Sequence, residues 1–340
     1  MSLVRARVVA RAALLLGAAA AAACRDGEPG QPGTFADPVD ASAFLRGNLH
    51  AHSTLSDGDH TPEEVLAWYR DHGYAFAALT EHNLRVDPAR YDDPTDSFVV
   101  IAGEEVTMVS GGKPIHVNAL CHGHTIGGGE LPTARAAIRH AAAEVRALGG
   151  VALLNHPNFE WALSTADVAS PSGVHLVEVW SGHPWVRPGG DERHVAAEVM
   201  WEAALDAGLT VWGAAVDDMH QLAAGADPTL AGPGRAWVEV YDAERTAPAI
   251  CSALAAGRFY FSGGLALRHL RVRGDELRVE PAAPARVELL GRGGATLASS
   301  EAAPGAPAVY RLRGGEDWVR ARLTGADGSR AWTQPFRVRD

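Results

Sequence analysis

Short apolar runs alternate with helical patterns between residues 44 and 264. Several runs are continuously apolar or β-branched, which is typical of strands that are buried on both faces. The runs predict strands at 44–49, 74–79, 98–102, 115–120, 150–154, 174–180, 209–216 and 235–241. Because strands and helices alternate in this way, the pattern predicts an α/β fold with a parallel sheet that closes into a barrel.

The helices between these strands have recognisable start and stop signals. Residues 61–64 (Thr-Pro-Glu-Glu) combine an N-cap, a proline at the first helical position and a capping-box glutamate. Thr133 precedes a second helix that ends at Gly149-Gly150. Residues 191–207 predict a third helix, which ends before Gly208.

The pattern changes after residue 264. Residues 270–273 and 276–279 alternate in polarity around Gly274-Asp275, which predicts a hairpin with a two-residue turn. Further alternating runs lie at 286–290, 309–313, 318–323 and 331–339. The sequence therefore predicts a barrel over residues 44–264, followed by a small antiparallel β domain, a sandwich, over 265–340.

The N-terminal residues 1–24 read as an export signal. A basic start with three arginines leads into an apolar, alanine-rich stretch that is too short for a stable membrane span. The end of the segment, at Cys24, resembles a bacterial lipoprotein box, and ordinary cleavage is the alternative. Residues 25–43 are rich in proline and glycine and predict a linker. We expect an exported, periplasmic protein that contacts the membrane only through a lipid on Cys24.

Composition and charge narrow the classes of function. Hydrophobic residues make up 47% and charged residues 21% of the 340 positions, so the chain can bury a core. The net charge of −11 argues against a nucleic-acid or anionic-membrane partner, because phosphate recognition begins with a basic surface.

The cysteines leave one question open. With Cys24 processed, Cys121 and Cys251 remain, and an exported protein allows a disulfide between them. We favour the interpretation that both are buried free thiols; Cys121 as a metal ligand is a further alternative.

Histidines and carboxylates recur where the predicted strands end. Of the 15 histidines, 14 lie between His50 and His220. Carboxyl ends of strands in a β/α barrel meet at one mouth, where such folds place their active sites. The recurring positions are His50, His52, Asp57, Glu81, His82, Glu104, Glu105, His116, His156, Asp217, Asp218 and His220. Imidazole and carboxylate ligands together suit Zn, Mn or Fe, so the pattern predicts a site for several metal ions.

Four motifs in this order resemble the PHP (polymerase and histidinol phosphatase) superfamily. The motifs are the HxH-type segment 50–58, Glu-His-Asn at 81–83, Gly-x-Glu at 103–105 and Asp-x-His at 218–220. The resemblance covers residues 44–264. The lead-in at 47–53, the export signal and the trailing β domain look most like the carbaryl-hydrolase-like (CehA/McbA) branch.

The resemblance implies a distorted (βα)7-type barrel with two or three divalent metal ions. The resemblance implies that His50, His52, Glu105 and Asp218 hold the first ion. Glu105 is also implied for the second ion, together with His116 and His156. The ligands implied for the third ion are Asp57, His82 and His220. Glu105, Asp218 and His220 are also the implied catalytic residues. Glu105 rather than Glu104 fits the Gly-x-Glu spacing, and Asp218 rather than Asp217 fits Asp-x-His.

Two further carboxylates are expected behind the ligands. Glu81 stands where the family usually has aspartate, and we expect it to orient His82. Glu178, near a sixth strand end, has the same expected role, with a purely structural role as the alternative.

A loop over residues 181–193 is the candidate substrate contact. His183, Arg187 and Arg193 are expected to face the barrel mouth and hold an anionic substrate, and a solvated loop is the alternative reading.

The motifs predict a hydrolase that uses a metal-activated water on a small ester. The superfamily implies a phosphoesterase acting on a phosphomonoester or phosphodiester, whereas the branch implies a carboxyl or carbamate ester. A non-catalytic, exported metal-containing binding protein is the rival from another class. Basic side chains around the site would favour phosphate, and an apolar pocket would favour an aryl ester.

Overall fold

The computed structural model describes residues 33–91, 97–225 and 227–339. The predicted signal segment 1–24, with Cys24, lies outside the described residues. The helices of the described part are α1 (Pro62–Asp71), α2 (Ala134–Ala147), α3 (Thr165–Val168), α4 (Ala197–Asp206) and α5 (Ala247–Ala255). None of these described helices is long and apolar enough to cross a membrane.

The helix start signals are confirmed at two of three places. Thr61 and Glu64 form the predicted capping box before α1, and the Thr133 side chain caps α2. The third helix, α4, begins at residue 197 rather than 191. Residues 191–194 instead form a turn, because the Asp191 carboxylate accepts backbone N–H bonds within it.

All eight predicted strands between 44 and 241 overlap observed strands. In chain order, the strands of the described residues are β1 (Thr34–Phe35), β2 (Val39–Ala41), β3 (Leu45–Asn48), β4 (Phe76–Ala78), β5 (Val99–Ile101), β6 (Gly103–Ser110), β7 (Lys113–Leu120), β8 (Gly129–Glu130), β9 (Val151–Leu154), β10 (Leu176–Ser181), β11 (Trp212–Val216), β12 (Trp237–Val240), β13 (Phe259–Gly263), β14 (Leu267–Arg273), β15 (Glu276–Pro281), β16 (Ala285–Gly291), β17 (Ala295–Ala302), β18 (Ala308–Arg311), β19 (Trp318–Gly325), β20 (Arg330–Trp332) and β21 (Phe336–Arg339). The pattern did not predict β6, which carries part of the site.

The α/β class is confirmed, but the prediction of one parallel sheet is wrong. Among the strands of the described residues, parallel pairs are found in β3-β4-β5, in β9-β10-β11 and between β6 and the short β8. Antiparallel pairs separate these runs: β7 pairs with β6 and β9, and β12 pairs with β3 and β13.

In the region of the predicted barrel, the described strands form two sheets rather than one closed barrel. The strand order is β13-β12-β3-β4-β5 in the first sheet and β11-β10-β9-β7-β6-β8 in the second. Two isolated parallel bridges, Ala51 to Met219 and His82 to Glu105, join the strand ends of one sheet to those of the other. The ends that carry the candidate ligands therefore meet.

The β6-β7 hairpin accounts for much of the departure from a parallel sheet. Gly111 and Gly112 connect the two strands with φ of 58° and 76°. Positive φ at both central residues is the geometry of a tight hairpin turn, which glycine adopts without strain. The hairpin turns the chain back at once, so β7 runs antiparallel and places His116 in mid-strand.

The C-terminal strands form two sheets around a shared apolar core. The predicted hairpin is observed as β14 and β15, with Arg273 opposite Glu276. The predicted linker 25–43 is wrong for residues 34–41, because β1 pairs with β21 and β2 pairs with β14. Backbone pairing of β20 with β13 joins this region to the first sheet.

A buried ion cluster holds the C-terminal strands against α4. The Arg320 guanidinium is fully buried and contacts the carboxylates of Glu198, at 2.6 Å, and Glu202. Beside it, the rings of Trp332 and Phe261 stack with centroids 5.2 Å apart. The two regions therefore share both apolar and charged contacts.

Cys121 and Cys251 form a disulfide, so the interpretation as two free thiols is wrong. Cys121 directly follows β7 and Cys251 lies in α5, with Cα atoms 6.1 Å apart, a normal disulfide separation. The residues are 130 positions apart, so no local sequence pattern shows that they meet.

Candidate metal centre

Glu105, on β6, lies at the centre of the candidate site. Its carboxylate is 1% exposed and contacts histidine nitrogens from four segments of the chain. The distances from its oxygens are 2.8 Å to His116 Nδ1, 3.2 Å to His52 Nε2, 3.3 Å to His82 Nδ1, 3.3 Å to His156 Nε2 and 3.4 Å to His50 Nε2. One buried carboxylate therefore joins five imidazoles.

Asp218 supplies a second buried carboxylate just after β11. Its Oδ1 lies 3.2 Å from His50 Nε2, 3.5 Å from His52 Nε2 and 3.8 Å from His220 Nδ1. The backbone of Asp218 has a φ of 50°, and its N–H donates to the His50 carbonyl at 3.0 Å. A non-glycine residue in this left-handed region is uncommon and is often found at functional sites.

Asp57 supplies the third carboxylate from the solvent side. Its oxygens lie 3.3 Å from His52 Nδ1, 3.4 Å from His220 Nε2 and 3.5 Å from His82 Nε2. About half of the Asp57 side chain is exposed. The structure therefore brings all nine residues of the implied ligand set to one place, buried on one side and open on the other.

The candidate ligands include four groups of three residues, and within each group the ligand atoms all lie within 4.8 Å of one another. They are His50, His52 and Asp218; His50, Glu105 and His156; His52, Asp57 and His220; and His52, His82 and Glu105. The first group holds three of the four residues implied for the first ion, without Glu105, and Glu105 with His156 is part of the set implied for the second. His82 and His220 fall into separate groups, although both contact Asp57.

The chemistry of these side chains fits divalent metal ions. His50 Nε2, His52 Nε2 and His116 Nδ1 are buried and have no hydrogen-bond partner in the described part of the chain. They lie near carboxylate oxygens, but the contacts lack hydrogen-bond geometry. Buried polar atoms without partners are costly. Divalent ions bound among these side chains would give the buried nitrogens the partners that they lack.

Groups behind the ligands fix which nitrogen faces the centre. His50 Nδ1 lies 2.6 Å from a Glu178 oxygen, so its Nδ1–H donates there and Nε2 is left for an ion. The other Glu178 oxygen accepts the backbone N–H of His156 at 2.8 Å. Asn155 donates to a Glu105 oxygen, also at 2.8 Å. Glu178 therefore lies behind the ligands, where it was expected.

The expectation for Glu81 is corrected. Its carboxylate accepts hydrogen bonds from the Ser53 backbone and hydroxyl, at 3.0 and 2.5 Å, and from the Ser56 hydroxyl. It therefore anchors the loop that carries Asp57 rather than orienting His82. His82 Nδ1 lies 2.8 Å from the Thr107 hydroxyl instead.

Sequence reasoning missed Thr107, although a signal was present. Thr107 lies two positions after Glu105 on the same strand, and alternate residues of a strand share a face. Recognising residues 103–110 as a strand would have placed this hydroxyl on the side of the ligands.

The acidic neighbours of the two buried ligands anchor loops. Glu104 pairs with His122 and accepts the backbone N–H groups of residues 126 and 127. Asp217 accepts the backbone N–H groups of 234–236 and the Tyr69 hydroxyl. Burial raises the pKa of Asp217 to about 6.

Opposite charges shift the ionisation of the metal-free centre. Burial acts to lower the pKa of His50, but the carboxylates of Asp218 and Glu105 raise it well above its ordinary value. Burial also acts to lower the pKa of His52, but the same two carboxylates raise it to about 9. Burial acts to raise the pKa of Glu105, but His116 and His50 hold it well below its usual range. Protons and metal ions therefore compete for these histidines.

A cavity of about 410 Å³ opens onto the candidate ligands. Its lining residues are Asp57, His82, Glu105, His116, His156, Phe159, His183, Pro184, Trp185, Val186, Asp218, His220, Gln221, Thr229, Leu230 and Ala231. Apart from the ligands, most of these side chains are apolar. Among the described residues that line the cavity there is no lysine or arginine.

Of the three expected substrate contacts, the structure brings only His183 to the cavity. The Arg187 guanidinium lies 5.3 Å from the ring centroid of Trp161, outside the lining. Its carbonyl is held by Asn158, which fixes this part of the loop. Arg193 is exposed and also outside the lining. The expectation that both arginines face the mouth is therefore corrected.

No protein-family model and no curated protein matches the chain. A two-domain protein from Bacteroides vulgatus that contains a predicted PHP-like metal-dependent phosphoesterase is similar over 90% of this chain and 98% of its own, with 17% identity and a TM-score of 0.46. An amidohydrolase from Chromobacterium violaceum matches 52% of this chain and 88% of its own, at 16% identity and a TM-score of 0.39. A lesion-specific endonuclease from Pyrococcus furiosus matches 63% of this chain and 56% of its own, at 13% identity and a TM-score of 0.41. Likenesses at this level do not assign a reaction to the chain.

Proposed function

We propose that this protein is a metal-dependent hydrolase of small esters, with phosphoesters as its first substrate class. The observation that supports this most strongly is the set of buried histidine nitrogens without partners, around the Glu105 and Asp218 carboxylates. Structural metal sites are usually closed shells of four ligands. Nine candidate ligands, seven of which line an open cavity, fit a catalytic centre better.

The charges of the site support an anionic substrate or transition state. Six neutral imidazoles and three carboxylates supply too little negative charge to neutralise two or three divalent ions. When bound, such ions lower the pKa of water and stabilise negative charge on a reacting oxygen. The chain's own residues hold the ions in place, and the half-exposed Asp57 leaves one side open to substrate.

The second candidate is a carboxyl or carbamate ester hydrolase. The absence of lysine and arginine from the described lining favours it, as do the apolar side chains Phe159, Trp185 and Leu230. When a carbonyl ester reacts, negative charge develops on one oxygen, and bound metal ions are sufficient to stabilise it. Phosphate recognition usually adds basic side chains.

Turnover of three aryl substrates separates these functions. The mature protein, loaded with Mn²⁺ or Zn²⁺, is given an aryl phosphomonoester, an aryl phosphodiester and an aryl carbamate, and phenol release is measured. We expect the highest kcat/KM for one of the phosphate esters. Turnover of the carbamate alone would support the second candidate. No turnover with the ions bound would support a non-catalytic binding protein.

We further propose that the protein is exported to the periplasm and anchored through Cys24. The signal-like segment 1–24 supports this, and so does the Cys121–Cys251 disulfide, because disulfides persist in oxidising compartments. Cell fractionation of the full chain and of Cys24→Ala tests it. We expect the wild-type protein in the membrane fraction and the variant in the soluble periplasmic fraction; cytoplasmic wild-type protein would contradict export.

A further inference from the structure

His183 differs from the histidines of the metal centre. It follows β10, lines the cavity, and its ring centroid lies 5.2 Å from that of His220. Each of the six candidate ligand histidines lies within 4 Å of a carboxylate oxygen, but His183 has no such contact in the described part of the chain. His183 is therefore free to contact substrate.

A backbone hydrogen bond fixes the proton of this imidazole. The Trp185 N–H donates to His183 Nδ1 at 3.2 Å. A ring nitrogen that accepts a hydrogen bond carries no proton, so the ring is neutral and its proton is on Nε2. Nε2 is the nitrogen farther from the backbone, and no hydrogen bond joins it to another described residue. It is therefore a donor without a protein acceptor.

Gln221 presents a second donor of the same kind. Its Oε1 accepts the backbone N–H of Ala231 at 2.8 Å, which leaves the amide NH₂ group unpaired among the described residues. Gln221 follows His220 directly and lines the same cavity. The nearby Thr229 differs, because its hydroxyl already donates to Asp227 at 2.7 Å.

We propose that His183 Nε2–H and the Gln221 amide bind an oxygen of the substrate on the solvent side of the metal centre. This inference rests on the proposed hydrolysis. In a cavity without described lysines or arginines, two neutral N–H groups of fixed orientation take the place of a cationic side chain. Donors held in advance stabilise charge that develops on an oxygen.

The role of His183 in this pair is donation without proton transfer. Loss of Nε2–H from a neutral ring would produce imidazolate, which is too basic to form at ordinary pH. A neutral imidazole can nevertheless polarise an oxygen through its N–H. His183 therefore binds and orients the substrate oxygen, and the leaving group takes its proton from elsewhere.

The test compares His183→Phe, His183→Gln, Gln221→Leu and, as a control, His140→Phe on the exposed face of α2. Each protein is loaded with Mn²⁺, and its metal content, its kcat and KM for the aryl esters, and its affinity for methylphosphonate are measured. We expect His183→Phe and Gln221→Leu to keep the metal but lose about 100-fold in kcat. Methylphosphonate affinity should fall about tenfold in each. His183→Gln, which keeps an N–H donor, should restore most of the loss.

Three results would refute the claim that His183 and Gln221 bind a substrate oxygen. The first is that kcat and methylphosphonate affinity are unchanged in both His183→Phe and Gln221→Leu. The others are that His183→Phe loses its bound metal, and that His183→Gln does not restore the activity. Wild-type protein that hydrolyses no ester, yet binds methylphosphonate through His183 and Gln221, would refute the hydrolysis and support the donor pair. Metal-loaded wild-type protein that does neither would refute both.

Discussion

At the scale of single residues, neighbouring carboxylates have opposite roles because strand geometry turns them in opposite directions. Glu105 contacts five histidines, whereas Glu104 pairs with His122 and anchors a loop. Glu105 and Asp218, which motif spacing selected over Glu104 and Asp217, are the carboxylates that contact the clustered histidines. Spacing could not identify what Glu81 contacts, since its partners Ser53 and Ser56 meet it only in the folded chain.

Glu105→Gln should remove most of the activity while the protein stays folded. The substitution keeps the size of the side chain but removes the negative charge that balances the positive charge of the bound ions. We expect kcat/KM to fall at least about 1,000-fold and bound metal to decrease, as measured by steady-state kinetics and elemental analysis. The matched control is Glu104→Gln, which should keep its metal and most of its rate. Equal losses in the two variants would refute the central role of Glu105.

The stability of the metal-free protein should depend on pH in a defined direction. Because the pKa of His52 is raised from 6.5 to about 9, the stability that His52 contributes is fully present below pH 6.5 and disappears as the pH rises through 9. The pKa values of Glu105 and Asp218 are lowered, so their contribution is lost in acid instead.

Thermal unfolding with and without Mn²⁺ measures this dependence. We expect the Tm of the metal-free protein to fall by about 3 °C or more between pH 6.5 and 9. The Tm of the metal-loaded protein should not fall in this range, since bound ions require deprotonated histidines. The same slope in both forms would contradict the assignment of these histidines to the metal centre.

At the scale of elements, the alternation of apolar runs predicted the positions of eight strands but not their directions. The β6-β7 hairpin is the main reason. Its first strand begins with Gly-Glu-Glu, a polar start that reads as a strand end rather than a new strand. Partner choice depends on contacts between distant segments, as in the pairing of β1 and β2 with C-terminal strands. Local periodicity does not contain that information.

The buried cluster on α4 should be a major contribution to stability. Arg320→Ala removes the fully buried cation from Glu198 and Glu202 and leaves only the partly exposed Arg322, 3.4 Å from Glu198, so we expect the free energy of unfolding to fall by about 3–5 kcal/mol. Denaturant unfolding measures this change. The exposed pair of Arg292 with Asp317 is the control, because Arg292→Ala should cost less than about 1 kcal/mol. Equal costs would refute the importance of the buried cluster.

At the scale of the whole molecule, the candidate centre combines strand ends from both sheets, and the C-terminal β region lies outside the cavity lining. The sequence predicted this convergence from the rule that parallel strand ends meet at one edge, which holds for the ligands that follow β3, β4, β9 and β11. Glu105 and His116 reach the centre in another way, from the antiparallel β6-β7 hairpin. The character of the cavity could not be predicted, since Leu230 and Phe159 come from loops without a motif.

The cavity should prefer esters that carry a single charged group. With no lysine or arginine among its described lining residues, the cavity offers no cationic side chain to a second phosphate. We therefore expect kcat/KM for an aryl phosphate to exceed that for a nucleoside triphosphate by about tenfold or more. Parallel steady-state assays measure this ratio. A preference for the triphosphate would show that the cavity recognises anions by some other means.

The most direct test of a catalytic metal centre is a titration of metal-free protein with Mn²⁺, in which bound ions and aryl-ester turnover are recorded together. The structure predicts no turnover without metal and a rate that rises as two or three ions bind per chain. Full turnover in the metal-free protein would contradict the account, and so would tight binding of the ions with no turnover of any ester.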